Sequence, residues 1–184
     1  MDRRAARSEH SRAVLKAAFL ELFLIKEPEE ITVVELCRKA GRNRSTFYAH
    51  YEYMDQLVRE VLRETVENIF IDLGSRWDLP MEKDGGIDRQ YITAYLRRFL
   101  NDPTARRFCT CAGSANYLTL LIRAHVDLTL PPVKVPARYC AAYFQYAGVL
   151  NLLLEWLNSE NPVPEETIVD LIHEFSKVMY RPWQ

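Results

Sequence analysis

The sequence predicts an all-α protein: a three-helix N-terminal domain carrying a helix-turn-helix, followed by a helical bundle, with about nine helices in all. Three observations predict this. Apolar residues recur at three- and four-residue spacings along most of the chain. The breaks between these runs are short and marked by Pro, Gly and Asp. One stretch, Ile31 to Tyr51 (ITVVELCRKAGRNRSTFYAHY), sets a capping box, a glycine turn and a donor-rich segment in succession. The expected division is residues 1–53 for the helix-turn-helix domain and 54–184 for the helical bundle.

The first helix is expected from about Ser8 or Ser11 to Leu24, with Val14, Leu15, Ala18, Phe19, Leu22 and Phe23 as a wide apolar stripe. Before it, Arg3, Arg4 and Arg7 form an arm expected to be mobile, either a solvated tail or a strand laid along DNA. The acidic connector Glu27–Glu30 should face away from phosphate. Thr32 and Glu35 form a capping box that opens a second helix. Gly41 closes that helix, and Asn43 is placed to cap a third, running from Arg44 to His50.

The third helix sets the chemistry. Arg44, Ser45, Thr46, Tyr48 and His50 all carry hydrogen-bond donors, and between Leu36 and Tyr51 the chain holds Arg38, Lys39, Arg42 and Arg44 with no acidic residue. Phe47 and Tyr51, four apart, should face inward and leave Arg44, Ser45, Tyr48 and Ala49 outward for a major groove. Thr32, Arg42, Thr46, Tyr48 and His50 are the expected phosphate contacts, with Arg44, Ser45 and Ala49 facing bases and Asn43 completing the DNA-binding set.

The segment Ala40–Leu57, AGRNRSTFYAHYEYMDQL, resembles the signature of the tetracycline-repressor-like (TetR) family of bacterial transcription regulators at Ala40, Gly41, Thr46, Phe47, Tyr48, His50, Tyr51 and Leu57. Upstream the likeness extends through Val14, Ala17, Ala18, Phe19, Leu22, Phe23, Thr32, Val33 and Leu36. It covers the first third densely and the rest by architecture only. One departure stands out: many relatives carry Lys where this chain has Met54, and that ammonium meets a phosphate.

The charge balance fits a DNA-binding reading only through placement. The chain has a net charge of −1, while residues 1–63 hold twelve Lys or Arg against ten Asp or Glu. Affinity must come from a few well-placed cations and should be steeply salt-dependent. No signal peptide or membrane span is visible, so a cytoplasmic location is expected. The cysteines Cys37, Cys109, Cys111 and Cys140 lack metal spacing, so no metal or other cofactor is expected, and mostly buried free thiols are. A redox role for Cys109 and Cys111 is the alternative to packing.

Downstream, a long helix is expected from Tyr53 to Leu73 with Leu57, Val61, Leu62, Ile69, Phe70 and Leu73 on one side. A loop follows at Ser75–Gly86, then helices at Ile87–Leu100 and Ala105–Leu128, the latter weak near Gly113-Ser114. The connector LPPVKVP (130–136) precedes helices Ala137–Leu157 and Glu165–Tyr180. The first of these last two is apolar on nearly every side, which requires burial on both.

The resemblance implies that the last two helices pair with those of a second copy in a four-helix bundle, and Tyr139, Tyr143, Leu150, Leu154, Ile168, Leu171, Ile172 and Phe175 are the expected homodimer interface. It also implies an effector site inside the bundle. Tyr91, Tyr95, Phe99, Phe108, Tyr117, Leu121, His125, Tyr143, Phe144 and Tyr146 are its expected wall, suited to a small apolar or aromatic inducer; plain core packing is the alternative for each.

The implied function is a ligand-responsive repressor acting as a homodimer on a palindromic operator in double-stranded DNA. The alternative is a helical adaptor of the same fold that has lost specific DNA binding. Catalysis is not expected, since no nucleophile elbow, zinc-protease motif or phosphate loop is present.

Overall fold

The computed structural model describes residues 3–73, 79–111, 114–129 and 136–179. Among these are nine α-helices: α1 (Arg3–Phe23), α2 (Val33–Lys39), α3 (Arg44–Tyr48), α4 (Met54–Asp72), α5 (Arg89–Asn101), α6 (Pro103–Thr110), α7 (Ser114–Thr129), α8 (Pro136–Asn158) and α9 (Glu165–Met179). A single isolated bridge, Met81 with Ile87, is the only β pairing among the described residues. None of these helices is long and apolar enough to cross a membrane. Gly113, the connector 130–135 and part of the loop expected at Ser75–Gly86 lie outside the described residues.

The head forms because three short amphipathic helices share one aromatic core. Leu15, Phe19 and Phe23 of α1, Leu36 of α2, Phe47 of α3 and Leu57 and Leu62 of α4 are all essentially inaccessible. Phe23 stacks on Phe19 at 5.6 Å and meets Phe108 of α6 at 4.4 Å, so one side chain joins head and body. Phe23→Ala is expected to cost about 3–5 kcal/mol through lost burial and the cavity left behind; urea unfolding should show a lower midpoint at unchanged slope.

Several expected boundaries shift. α1 begins at Arg3, so residues 3–7 are helical rather than a mobile arm. Its sequence has no breaker before Ser8, and Ala5, Ala6 and the arginines are good helix formers. α3 ends at Tyr48, with His50 beyond it. Half of the capping box forms: Thr32 Oγ1 accepts the Glu35 N–H at 3.2 Å, while the Glu35 carboxylate accepts from Lys26 at 2.8 Å, an ion pair that outcompetes the return bond. Asn43 occupies the cap position of α3 without a side-chain bond.

A charged seam fastens α1 to α4. Arg12 donates to Glu60 at 2.6 Å, and Lys16 reaches Glu60 at 3.1 Å and Glu64 at 2.6 Å. Burial alone would raise Glu60, but the hydrogen bonds from Arg12 and Lys16 outweigh it and hold the carboxyl below its usual range. The seam is therefore charged at neutral pH, and its contribution is lost as pH falls through the carboxylate range.

In the body, α7 lies between α4 and α8, and α5 packs on α9. Arg107 of α6 reaches back to the head, donating to the carbonyls of Phe23 and Lys26 at 3.1 Å each and to Glu27 at 2.7 Å. It satisfies carbonyls that the end of a helix leaves open. The acidic connector is thereby turned toward α6.

Candidate functional site

The turn between α2 and α3 is built by the main chain. Gly41 adopts φ +60°, and the Gly41 and Arg42 amides return to the carbonyls of Arg38 and Cys37 at 3.2 and 2.9 Å. This is the left-handed stop expected of a glycine after a helix. It turns α3 outward from the body, anchored by Phe47 and Tyr51, which are buried and 5.6 Å apart. Arg12 lies over the Tyr51 ring at 6.0 Å, tying that anchor to α1.

The residues left outside are those the helical spacing selects. Thr32, Asn43, Arg44, Ser45, Tyr48 and Ala49 are exposed, and Arg42, Thr46 and His50 are half-buried. Tyr48 is 59% exposed and rests edge-on against Phe47 at 5.4 Å. Among the described residues Arg38, Arg42 and Arg44 form no ion pair, whereas the neighbouring Lys39 is taken by Glu21 at 2.7 Å. The Nε of Arg42 meets no acceptor either. Positive charge on this face is thus uncommitted.

One wall of the site escaped sequence reasoning. A polar groove of about 720 Å³ runs between α3 and the first turns of α1, where Arg7, Ser8, His10 and Ser11 face Arg42, Asn43, Ser45, Thr46 and His50. Its far side exists because α1 starts early. Arg3, Arg4 and Arg7 beside two alanines, all good helix formers, are the signal for it in the sequence.

At Met54 the expected lysine contact has no counterpart. The side chain is partly buried and packed on the core, so the position serves packing.

No protein-family model matches the sequence, and no curated protein matches it. Among solved structures, a TetR transcriptional regulator from Rhodococcus sp. RHA1 superposes with a TM-score of 0.62 at 15% identity, covering 98% of this chain and 100% of that one. This chain has the TetR fold.

Within the body of this TetR fold, the expected effector wall divides. Tyr91, Tyr95 and Tyr146 line a cavity of about 50 Å³, together with Leu79, Ile87, Ile92, Gln145, Val149 and Ile172. Phe99, Phe108, Tyr117 and Leu121 are core, with Phe108 against Tyr117 at 5.3 Å. Tyr143 is half-buried and stacks on Tyr139 at 6.4 Å. Phe144 is 75% exposed and borders a neighbouring groove rather than this cavity. Gln145, a buried amide between apolar neighbours, is the lining residue the sequence could have flagged.

His125 is fully buried. Its Nδ1 donates to the Leu121 carbonyl at 2.7 Å, and the Tyr95 hydroxyl donates to Nε2. That pairing fixes the neutral tautomer. Burial lowers the imidazole to about 4, only partly opposed by the Leu121 bond. Because the folded value lies below the unfolded one, stability is present above about pH 6.5 and lost as pH falls toward 4. Between pH 7 and pH 4.5 the wild type should lose about 2–3 kcal/mol that His125→Gln does not, as read by denaturant titration at both pH values.

Of the expected interface residues, Leu150, Ile168 and Ile172 are buried within the protomer, and Leu154 is half-buried. The stripe chosen on α8 faces its own core. The opposite stripe, Cys140, Phe144, Gly148 and Asn151, is outside, beside Leu171 and Phe175 of α9. Tyr139, 41% exposed, borders it. Cys37, Cys109 and Cys111 are buried free thiols and Cys140 is exposed. Burial, with Cys111 adjacent, pushes Cys109 up to about 12, which keeps it a thiol and weighs against a redox role.

Glu82, Asp84 and His173 converge within 4.8 Å, a grouping that could hold a cation. Lys177 stands 2.8 Å from Asp84 and Arg89 2.9 Å from Glu82, so protein cations already fill that role.

Proposed function

We propose that this chain is a DNA-binding transcription regulator that works as a homodimer, with residues 1–53 as the reading head and residues 54–184 as the regulatory and dimerising part. In this reading it acts as a repressor on a palindromic operator and releases it when a small apolar or aromatic effector enters the body. The observation that carries the reading is the uncommitted charge of Arg38, Arg42 and Arg44 around an exposed Tyr48, on a helix turned outward by Gly41. Phosphate contacts fall to Thr32, Arg42, Thr46, Tyr48 and His50, joined by Arg7 and Ser8 across the groove, and base contacts to Arg44, Ser45 and Ala49.

The test is gel retardation of the duplex flanking the chain's own gene, titrated with salt. Arg7 and Arg42 on each head, twice per dimer, correspond to about four neutralised phosphates and a log–log slope of about −4. No retardation of such fragments at low salt would sink the reading and favour the adaptor, as the Met54 departure would then imply.

A further inference from the structure

The cavity beside Tyr91, Tyr95 and Tyr146, at about 50 Å³, holds a water or two. An effector site needs roughly 300 Å³ or more. For this cavity to take an effector one wall must move, and three of the walls are helices set in the core.

The fourth wall is the segment Leu79–Asp88, which contributes Leu79 and Ile87. It is a small folded unit: Met81 bridges Ile87, the Glu82 amide donates to the Gly86 carbonyl at 2.8 Å, the Asp88 amide donates to the Pro80 carbonyl at 2.8 Å, and Gly85 turns at φ +87°.

Polar bonds attach it to α9. The Ile87 amide donates to Ser176 Oγ at 2.8 Å, and the His173 ring lies between the Ile87 carbonyl, 2.7 Å from Nδ1, and the Asp84 carboxylate, 3.0 Å from Nε2. Lys177 holds Asp84 from the other side, and the bonds from Lys177 and His173 keep that carboxyl well below its usual range. The fit is close: a Cβ on Gly86 would lie 2.5 Å from the His173 ring.

We propose that Leu79–Asp88 is a strap closing the effector cavity, with His173 and Asp84 as its catch. Lifting it exposes Ile87 and part of Leu79 and leaves polar attachments that water can replace, whereas withdrawing α5, α8 or α9 would expose several core side chains each. The gating role rests on the ligand-responsive reading above; the motion itself does not.

Amide hydrogen exchange on the full-length chain tests it. In the wild type, the Glu82, Ile87 and Asp88 amides should exchange at least about tenfold faster than those of Leu150 and Leu153. Asp84→Asn and Gly86→Ala should each speed the strap amides a further tenfold or so, leave α8 unchanged, and raise the association rate of the neutral probe N-phenyl-1-naphthylamine by a similar factor. Strap amides as slow as Leu153 in the wild type would overturn the proposal, as would faster exchange without faster probe entry. The wild-type measurement decides even if a variant fails to fold. Neither measurement contains DNA, so loss of the strap leaves the DNA reading standing, and failure of gel retardation leaves the exchange result intact.

Discussion

On the homodimer reading, replacing Phe144 with glutamate is expected to leave the chain folded and to make it monomeric. Phe144 is 75% exposed and Phe175 59%, and they border a groove of about 350 Å³ with Gly148, Val149 and Leu152. A Cβ at Gly148 would meet nothing within 4 Å, so the helix surface there is open to close approach by another. In a twofold assembly every interface residue acts twice. Each buried Phe is worth about 1.5–3 kcal/mol, so Phe144→Glu removes roughly 3–6 kcal/mol before counting the desolvation of two carboxylates. Dissociation should strengthen by at least about 10²-fold, and Phe175→Glu should act the same way. Sedimentation velocity at micromolar concentration reads the mass directly. Circular dichroism should be unchanged, since neither ring contributes to the protomer's core. A lone head holds one half-site, so operator retardation should vanish together with the dimer. A Phe144→Glu protein that still sediments at twice the chain mass would refute this interface.

On the DNA-binding reading, Arg44→Ala and Tyr48→Ala should each weaken operator retardation without lowering thermal stability. Both side chains are exposed, and neither holds the head together. Arg44 begins α3, with its side chain free for a bidentate base contact worth about 1–3 kcal/mol per half-site. The loss doubles across two half-sites, to a factor of about 30 to 10⁴ in affinity. Tyr48 should cost affinity more evenly over sequences, as a phosphate contact does. Arg98→Ala is the control, since Arg98 pairs with Asp102 at 3.6 Å on α5. Competition with unrelated duplex separates the two roles: Arg44→Ala should lose the preference for the operator, Tyr48→Ala mainly the strength.

The head could be read closely because local chemistry determines it. Gly41 had to end a helix, Phe47 and Tyr51 had to share its inner face, and the donors of α3 were left outside by the same periodicity. The start of α1 was misplaced because a helix without a cap has no sequence marker, although its alanines and arginines favoured one. The body was harder. The helix Pro136–Asn158 is apolar on nearly all sides, so periodicity alone could not say which stripe faced its own core; the packing of α8 on α7 decided that Leu150 and Leu153 point in and Phe144 out. The catch between His173 and Asp84 joins residues 89 apart in sequence and gave no local signal.

The turn at Gly41 is held by backbone amides and carbonyls, and α3 by Phe47 from within. Arg44, Ser45, Tyr48 and Ala49 owe the scaffold nothing, and the scaffold owes nothing to them. On the DNA-binding reading such a platform can be retargeted: exchanging those four side chains should change the duplex sequence preferred while the melting temperature stays put.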